Sequence, residues 1–203
     1  MRVDPRYHCG VSFPADIQDL IDQLEANTRD ARAVVEGLSA EQGEWRAEPG
    51  SWSVAQCLDH LATGSRVYLV PMRAAAARAR EQGRMRSRPA KPGLLGGLFV
   101  WSLEPPVRQY LKHRAPGKIR PSPSPRLDDA AAAFLATQAE VLALLREWAD
   151  LDLARVRFVN PFVRGVRFSL ATGFHVIASH GRRHLWQARR VRQAAEQALP
   201  KRT

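Results

Sequence analysis

The sequence predicts an all-α protein, a four-helix bundle with a long crossover between the second and third helices. The first observation is that four stretches repeat apolar residues at the spacing of one buried helix face. They span about residues 16–38, 53–80, 128–149 and 169–197. The second is a Pro/Gly-rich connection at about 83–127, which is long enough to let the helices on either side of it run parallel. The third is an ordinary globular composition, with 45% hydrophobic and 25% charged residues.

The first two helices have clear sequence signals. Ile17, Leu20, Ile21 and Leu24 begin the apolar face of the first helix. In the second, Ser53 and Gln56 have the spacing of a capping box, and Trp52 before them is placed to pack onto Cys57. Pro71 is expected to kink this helix without ending it, because the alanine-rich stretch after it strongly favours helix.

The third helix is expected to begin at Asp128, a favourable N-cap residue, and the fourth to begin near Ser169 and end before Pro200. The connection at 83–127 holds eight of the fourteen prolines. Within it we expect a flexible turn at 93–97, a short helix at 99–113 and extended chain at 120–126. A weaker connection at 151–168 is expected to hold a short pair of extended segments. Residues 1–203 are expected to form one domain, since this length supports one sizeable core.

Composition limits the class of protein. The net charge of +11 is compatible with nucleic acid or an acidic partner, but a solvated, arginine-rich surface explains it more simply.

No apolar run approaches the ~18 residues of a membrane span, and no signal peptide is visible, so we expect a cytoplasmic protein without a membrane partner. The two cysteines exclude a disulfide framework. Cys57 is expected to be a small buried apolar residue, and a reactive pair of His8 and Cys9 is a minor alternative.

Three of the six histidines could form a metal site. His180 and His184 are four residues apart on the fourth helix, so their side chains project from one side, bordering its apolar face. Gly181 between them leaves room for an ion or a neighbouring helix. His60 borders the buried face of the second helix. Three imidazoles with an open position are typical of catalytic metal sites, and zinc, nickel or iron would accept them. Because this histidine spacing is also common by chance, burial without a metal remains an alternative.

Other polar residues have simpler interpretations. His175 lies well round the helix from His180 and is expected to be structural or on the surface, and His113 to be solvated. Arg183 belongs to a mostly exposed arginine face, although it could reach an anionic substrate near the histidines. The sequence contains no Gly-x-Ser-x-Gly, no phosphate-binding loop and no His-Glu-x-x-His.

Two stretches resemble the DinB-like (YfiT-like) superfamily. Residues 51–61, SWSVAQCLDHL, resemble its second-helix motif, in which a Trp-Ser start is followed by a histidine. Residues 179–187, SHGRRHLWQ, resemble its fourth-helix motif His-x-x-x-His-x-x-Gln. The resemblance implies a four-helix bundle with a three-histidine metal site near one end. Its ligands here would be His60, His180 and His184, with Gln187 as a possible supporting residue.

The resemblance also implies a class of chemistry. Characterised relatives include S-transferases and isomerases that use low-molecular-weight thiols, so we expect a metal-dependent S-transferase acting on a small-molecule substrate. A metal-dependent hydrolase and a non-catalytic basic module for nucleic acid or an acidic partner are the alternatives, and a homodimer is possible. The 83–127 connection is expected to cover the mouth of the site.

Overall fold

The computed structural model describes residues 12–106 and 115–200. Within these ranges, four long helices form the bundle: α1 (Ala15–Val35), α3 (Val54–Glu81), α5 (Leu127–Glu147) and α6 (Leu170–Ala198). Two shorter helices, α2 (Ala40–Glu44) and α4 (Leu94–Leu103), lie in the connections, together with a 3-10 turn at Gly117–Ile119. The all-α class and the four predicted long helices are confirmed.

The start of α3 follows the predicted capping box. Ser53 Oγ accepts from the backbone N–H of Gln56, and Gln56 Oε1 accepts from the backbone N–H of Ser53. The helix continues through Pro71, as expected. The start of α5 differs from the prediction, because its N-cap is Arg126 and Asp128 lies in the first turn. A carboxylate in that turn still interacts favourably with the helix dipole.

The long connection lets α3 and α5 run parallel. Arg73 pairs with Glu140, and Arg80, two turns further along α3, donates to the backbone oxygen of Glu147 at the end of α5. α6 packs antiparallel to α3, since Gly64 lies beside His180 whereas Met72, further along α3, lies beside the earlier Gly173. α1 packs against both α5 and α6. This order brings the first half of α3 beside the middle of α6, where the histidines lie.

A polar layer divides the apolar core into two clusters. One cluster surrounds Leu20, Met72 and Phe174, and the other surrounds Leu58 and Phe134. Between the clusters, each long helix contributes at least one buried polar side chain; these are Asn27, Ser65, Thr137, Gln138 and Ser179. Asn27 Nδ2 donates to the backbone oxygen of Ala178, which joins α1 to α6 at this level, whereas Thr137 and Ser179 donate to backbone oxygens of their own helices.

The connection between α3 and α5 differs from the prediction in two places. Residues 93–97 are not a flexible turn, because α4 begins at Leu94 and includes Gly96 and Gly97. The predicted helix at 99–113 is observed as α4, which starts earlier and ends at Leu103, and residues 107–114 lie outside the described ranges. α4 packs closely on α6, since a Cβ placed on Gly96 would lie 2.6 Å from Thr172 Oγ1. The chain at 120–126 contains no helix or strand.

The predicted extended pair is an antiparallel hairpin of β1 (Arg157–Val159) and β2 (Arg167–Ser169). Phe158 pairs with Phe168 and both side chains are buried, whereas Arg157 and Val159 point outward. The hairpin leads directly into α6, whose N-cap is Ser169. Among the described helices, none is both long enough and apolar enough to cross a bilayer.

Candidate metal centre

The three predicted histidines meet between α3 and α6. His60 Nε2 lies 3.1 Å from His180 Nε2, and the centroids of the three rings lie 4.5 to 4.9 Å apart. One nitrogen from each of His60, His180 and His184 can be chosen so that all three lie within 4.8 Å of one another. His180 and His184 lie one turn apart on α6, and the antiparallel packing of α3 supplies His60 opposite them. The sequence therefore identified a real cluster.

Two of the rings are oriented by hydrogen bonds on their outer nitrogen. His60 Nδ1 lies 2.5 Å from the backbone oxygen of Ile119, and His184 Nδ1 lies 2.9 Å from Gln187 Oε1. Both oxygens are acceptors, so each Nδ1 carries the proton and each Nε2 keeps its lone pair. Metal-binding histidines commonly make this outer contact, because it fixes the ring and its tautomer.

The environment keeps the rings neutral. Burial lowers the pKa of His60, and burial, with the charges of His184, His60 and Arg183 beside it, lowers the pKa of His180 well below its usual range. Burial, followed by the nearby charge of His60, lowers the pKa of His184 to about 3. Since only a neutral imidazole binds a metal, all three side chains are in the binding form at neutral pH.

Two glycines lie close to His180, and only one of them is required by its surroundings. A Cβ on Gly64 of α3 would lie 3.5 Å from His180 Cε1, an ordinary contact that the ring would tolerate. A Cβ on Gly181 would lie 2.3 Å from Asn27 Nδ2, which donates to the backbone oxygen of Ala178. Of the two roles expected for Gly181, the structure shows the close approach of a neighbouring helix.

Trp52 covers one side of the cluster. Its ring centroid lies 4.7 Å from that of His60 and 5.4 Å from that of His184. Trp52 also packs against the core cluster that contains Cys57, and Cys57 is fully buried as expected. An apolar ring beside two imidazoles excludes water from that side and favours their neutral form.

Part of the long connection covers the side of the cluster at His60. Besides the contact of Ile119 with His60, Gln56 Nε2 donates to the backbone oxygens of Ser122 and Pro123. Asp59 accepts from the backbone N–H of Ser122 at 2.7 Å. The first two turns of α3 therefore hold residues 119–123 against the histidines, while His180 and His184 remain partly exposed.

The donor set fits a divalent ion. His60 Nε2 and His180 Nε2 would repel each other at 3.1 Å if both presented only lone pairs, so a proton or a cation must lie between them. Nitrogens bound to one tetrahedral zinc ion are ~3.3 Å apart, close to this separation. Three imidazoles suit zinc, nickel or iron. Among the described residues, no Asp, Glu or Cys joins the cluster, so a bound ion would keep an open position.

Other candidate residues lie outside the cluster. His175 contacts the backbone oxygen of Ala90, which agrees with a structural role. Arg183 donates to the backbone oxygen of Ser102, and its charge acts on both His180 and His184. His113 and the pair of His8 and Cys9 lie outside the described residues. Sequence reasoning did not identify Ile119, Asp59 or Asn27. Of these, Asn27 could have been noticed, because it is a polar residue at the spacing of the apolar face of α1.

Comparison with known proteins agrees with this geometry. No curated protein and no solved structure matches the chain. A family model described as the DinB superfamily matches residues 23–188, a range that begins in α1 and ends in α6 and includes all three histidines. The chain belongs to the DinB superfamily.

Proposed function

We propose that His60, His180 and His184 bind one divalent metal ion, and that the protein is a metal-dependent transferase using a low-molecular-weight thiol. The observation that carries this proposal is the arrangement of the imidazoles. Two of them, His60 and His184, have their outer nitrogen fixed by an oxygen acceptor, so that their Nε2 lone pairs remain available. A purely structural metal site usually closes with four protein ligands, whereas this cluster has three among the described residues.

A divalent ion held there would supply Lewis-acid chemistry, lowering the pKa of a thiol so that thiolate is available at neutral pH. In the proposed reaction the thiol sulfur bonds to an electrophilic carbon of the second substrate. The bond from that carbon to its leaving group breaks, the leaving group keeps the electron pair, and the thiol proton passes to solvent. His60 and His184 hold their orientation throughout, since their Nδ1–H groups donate to the backbone oxygen of Ile119 and to Gln187 Oε1.

The walls of the site favour a small anionic thiol. Trp52 provides an apolar surface that excludes water beside His60 and His184. Arg183, which is partly buried, provides positive charge close enough to affect the pKa of both His180 and His184. Low-molecular-weight thiols commonly carry carboxylates, and the charge of Arg183 would attract such a group.

The same three ligands could serve a hydrolase. Hydrolysis benefits from a general base that accepts a proton from water, usually a carboxylate or a histidine. Among the described residues no carboxylate joins the cluster, and its three histidines are assigned as ligands. This arrangement favours the thiol reaction, because a thiol is a stronger acid than water and gives up its proton more readily without a general base.

A thiol panel tests the proposal. Metal-loaded protein, the His184→Ala variant and the His175→Gln variant would each be incubated with several low-molecular-weight thiols and electrophilic acceptors. His175→Gln is the matched control, because His175 lies on the same helix but contacts Ala90 rather than the cluster. We expect wild type and His175→Gln to turn over at least one pair well above the uncatalysed rate, and His184→Ala to lose this activity.

Equal background rates for all three proteins with every pair would overturn the S-transferase assignment. Turnover of esters or amides without a thiol, lost in His184→Ala, would replace it with hydrolysis. Metal analysis of the same samples separates these outcomes from a failure to bind metal.

A further inference from the structure

Exposed apolar side chains are concentrated in two segments, residues 82–103 and 153–169. Among the described residues, ten large hydrophobic side chains are exposed, and nine of them lie in these segments; they are Met85, Leu94, Leu95, Leu98, Phe99, Trp101, Val159, Val163 and Val166. The segments adjoin, since the rings of Phe99 and Phe168 lie 5.6 Å apart. Together they are called the basic–apolar surface below. Scattered exposed apolar residues are normal, but a concentration of this kind indicates a binding surface.

α4 is the most apolar part of this surface. Its inner side packs through Gly96 onto Thr172, and Val100 packs against the core. Its outer side is also apolar, with Leu94 95% exposed and Leu95 83% exposed. The helix contains no charged residue. A helix that is apolar on all sides is expected to be covered on all sides, and here the outer side is left open.

The charge of the surface is of one sign. Neither segment contains an aspartate or a glutamate. Seven cationic residues in them are exposed, and they are Arg84, Arg88, Lys91, Arg155, Arg157, Arg164 and Arg167. Three nearby carboxylates are already in ion pairs, Asp16 with Arg86, Asp150 with Arg80 and Glu104 with Arg182. Asp152 is buried and accepts from Ser87 Oγ, which leaves Glu81 as an exposed carboxylate at the edge of the first segment. The basic–apolar surface therefore offers positive charge and apolar side chains together.

We propose that this surface adsorbs to an anionic phospholipid membrane, with the leucines of α4 entering the headgroup region and the cations contacting lipid phosphates. An anionic bilayer supplies an apolar layer for the leucines and a negative surface for the cations. A second copy docked through the same face would bring like charges together. Nucleic acid would pair with the cations but offers little to Leu94 and Leu95.

Adsorption to the surface of a bilayer differs from spanning the bilayer. The absence of a spanning helix follows from helix length and composition, whereas peripheral binding needs only exposed apolar side chains and cations outside the bilayer. The expectation of no membrane partner came from the lack of a spanning run, which leaves surface binding open.

Vesicle co-sedimentation of the full chain tests the proposal. The vesicles would be phosphatidylcholine alone, or equal parts phosphatidylcholine and phosphatidylglycerol. We expect wild type to bind the anionic vesicles, not the neutral ones, and to release as salt is raised. The double variant Leu94→Ser/Leu95→Ser should bind at least about tenfold more weakly, since two apolar side chains no longer enter the bilayer. Val70→Ser is its control, because Val70 is 72% exposed but lies on α3 outside the surface.

A second pair of variants tests the electrostatic part. Arg164→Gln/Arg167→Gln should weaken binding about tenfold or more, since each cation near an anionic surface contributes about fivefold. Arg46→Gln/Arg66→Gln removes the same charge from exposed positions outside the surface and should change binding by less than about twofold. Circular dichroism of every variant confirms that it is folded.

Three results would overturn the proposal. One is that wild type fails to bind anionic vesicles even at low salt. Another is that Leu94→Ser/Leu95→Ser binds them as well as wild type does, which would mean that charge alone drives adsorption. The last is that wild type is a dimer in solution and Leu94→Ser/Leu95→Ser is a monomer, which would assign the surface to a second copy.

Discussion

The Nδ1 atom of His60 lies 2.5 Å from the backbone carbonyl oxygen of Ile119, in the connection that follows α4. This contact joins a candidate metal ligand to a segment 59 residues further along the chain. Because the backbone oxygen accepts a hydrogen bond from the Nδ1–H group, the position of residues 119–123 helps to orient the imidazole ring of His60.

Asp59→Ala is expected to loosen that segment, because the carboxylate of Asp59 holds the backbone N–H of Ser122. Removing one such hydrogen bond costs about 0.5–1.5 kcal/mol, so metal affinity should fall by up to about tenfold. Trypsin should also cut faster after Lys118 and Arg126, which flank the segment. Asp59→Asn keeps an oxygen acceptor and should behave more like wild type. Identical affinity and cleavage in wild type and Asp59→Ala would contradict the role given to this contact.

Gln187→Ala removes the acceptor for the Nδ1 proton of His184. Loss of such a partner typically lowers metal affinity by about 10–100-fold. Competition with a chromogenic chelator measures the change. Gln187→Glu, which supplies a stronger acceptor, should restore affinity, and this recovery separates orientation of His184 from a general loss of packing. If Gln187→Ala binds metal as tightly as wild type, Gln187 does not support the site.

The two glycines beside His180 should respond differently to alanine. Gly181→Ala places a Cβ 2.3 Å from Asn27 Nδ2 and should lower the free energy of unfolding by about 1–3 kcal/mol. Gly64→Ala makes only an ordinary contact with His180 and should be neutral or stabilising by up to about 1 kcal/mol, since alanine favours helix. Urea unfolding measures both. Adding Asn27→Ala to Gly181→Ala should recover stability, and its failure to do so would show that the overlap is not the cause.

Acid should destabilise the metal-free protein through the histidines. Their pKa values are lower in the folded protein than the usual 6.5, so below pH 6.5 the unfolded state binds protons first. Stability is therefore complete above about pH 6.5 and is lost as pH falls toward the folded pKa, which for His184 is about 3. Between pH 7 and 5, wild type with a chelator present should lose up to about 2 kcal/mol more than His184→Gln. If urea unfolding shows that wild type and His184→Gln lose the same stability between pH 7 and 5, the lowered pKa of His184 is contradicted.

The sequence predicted the long helices well, because apolar periodicity over twenty or more residues is hard to mistake for another structure. It predicted the short helix of the connection but misplaced its start, because two glycines and the absence of a polar face hide the first turns of α4. Local propensity favours a turn at 93–97, whereas the packing of Gly96 on Thr172 is a tertiary contact.

The metal centre was also predicted only in part, because sequence patterns show side chains and local spacing but not tertiary contacts. The histidines have side chains and a helical spacing that sequence reasoning can use, and Gln187 lies one turn after His184. Ile119 acts through its backbone oxygen, which every residue has, so no residue pattern reveals it. Trp52 was assigned to Cys57 because that contact is local, whereas its ring also stacks beside His60 of α3 and His184 of the facing helix α6.

Metal content of the purified protein tests the central claim most directly. The protein would be purified without a histidine tag, loaded with zinc, nickel or iron(II), passed over a desalting column and analysed by elemental mass spectrometry beside His184→Ala and His175→Gln. We expect close to one bound ion per chain in wild type and His175→Gln, and almost none in His184→Ala, because three imidazoles are needed and two leave the ion weakly held. Equal metal content in wild type and His184→Ala, or none in wild type with any of the three metals, would contradict the assignment of His60, His180 and His184 as a metal site.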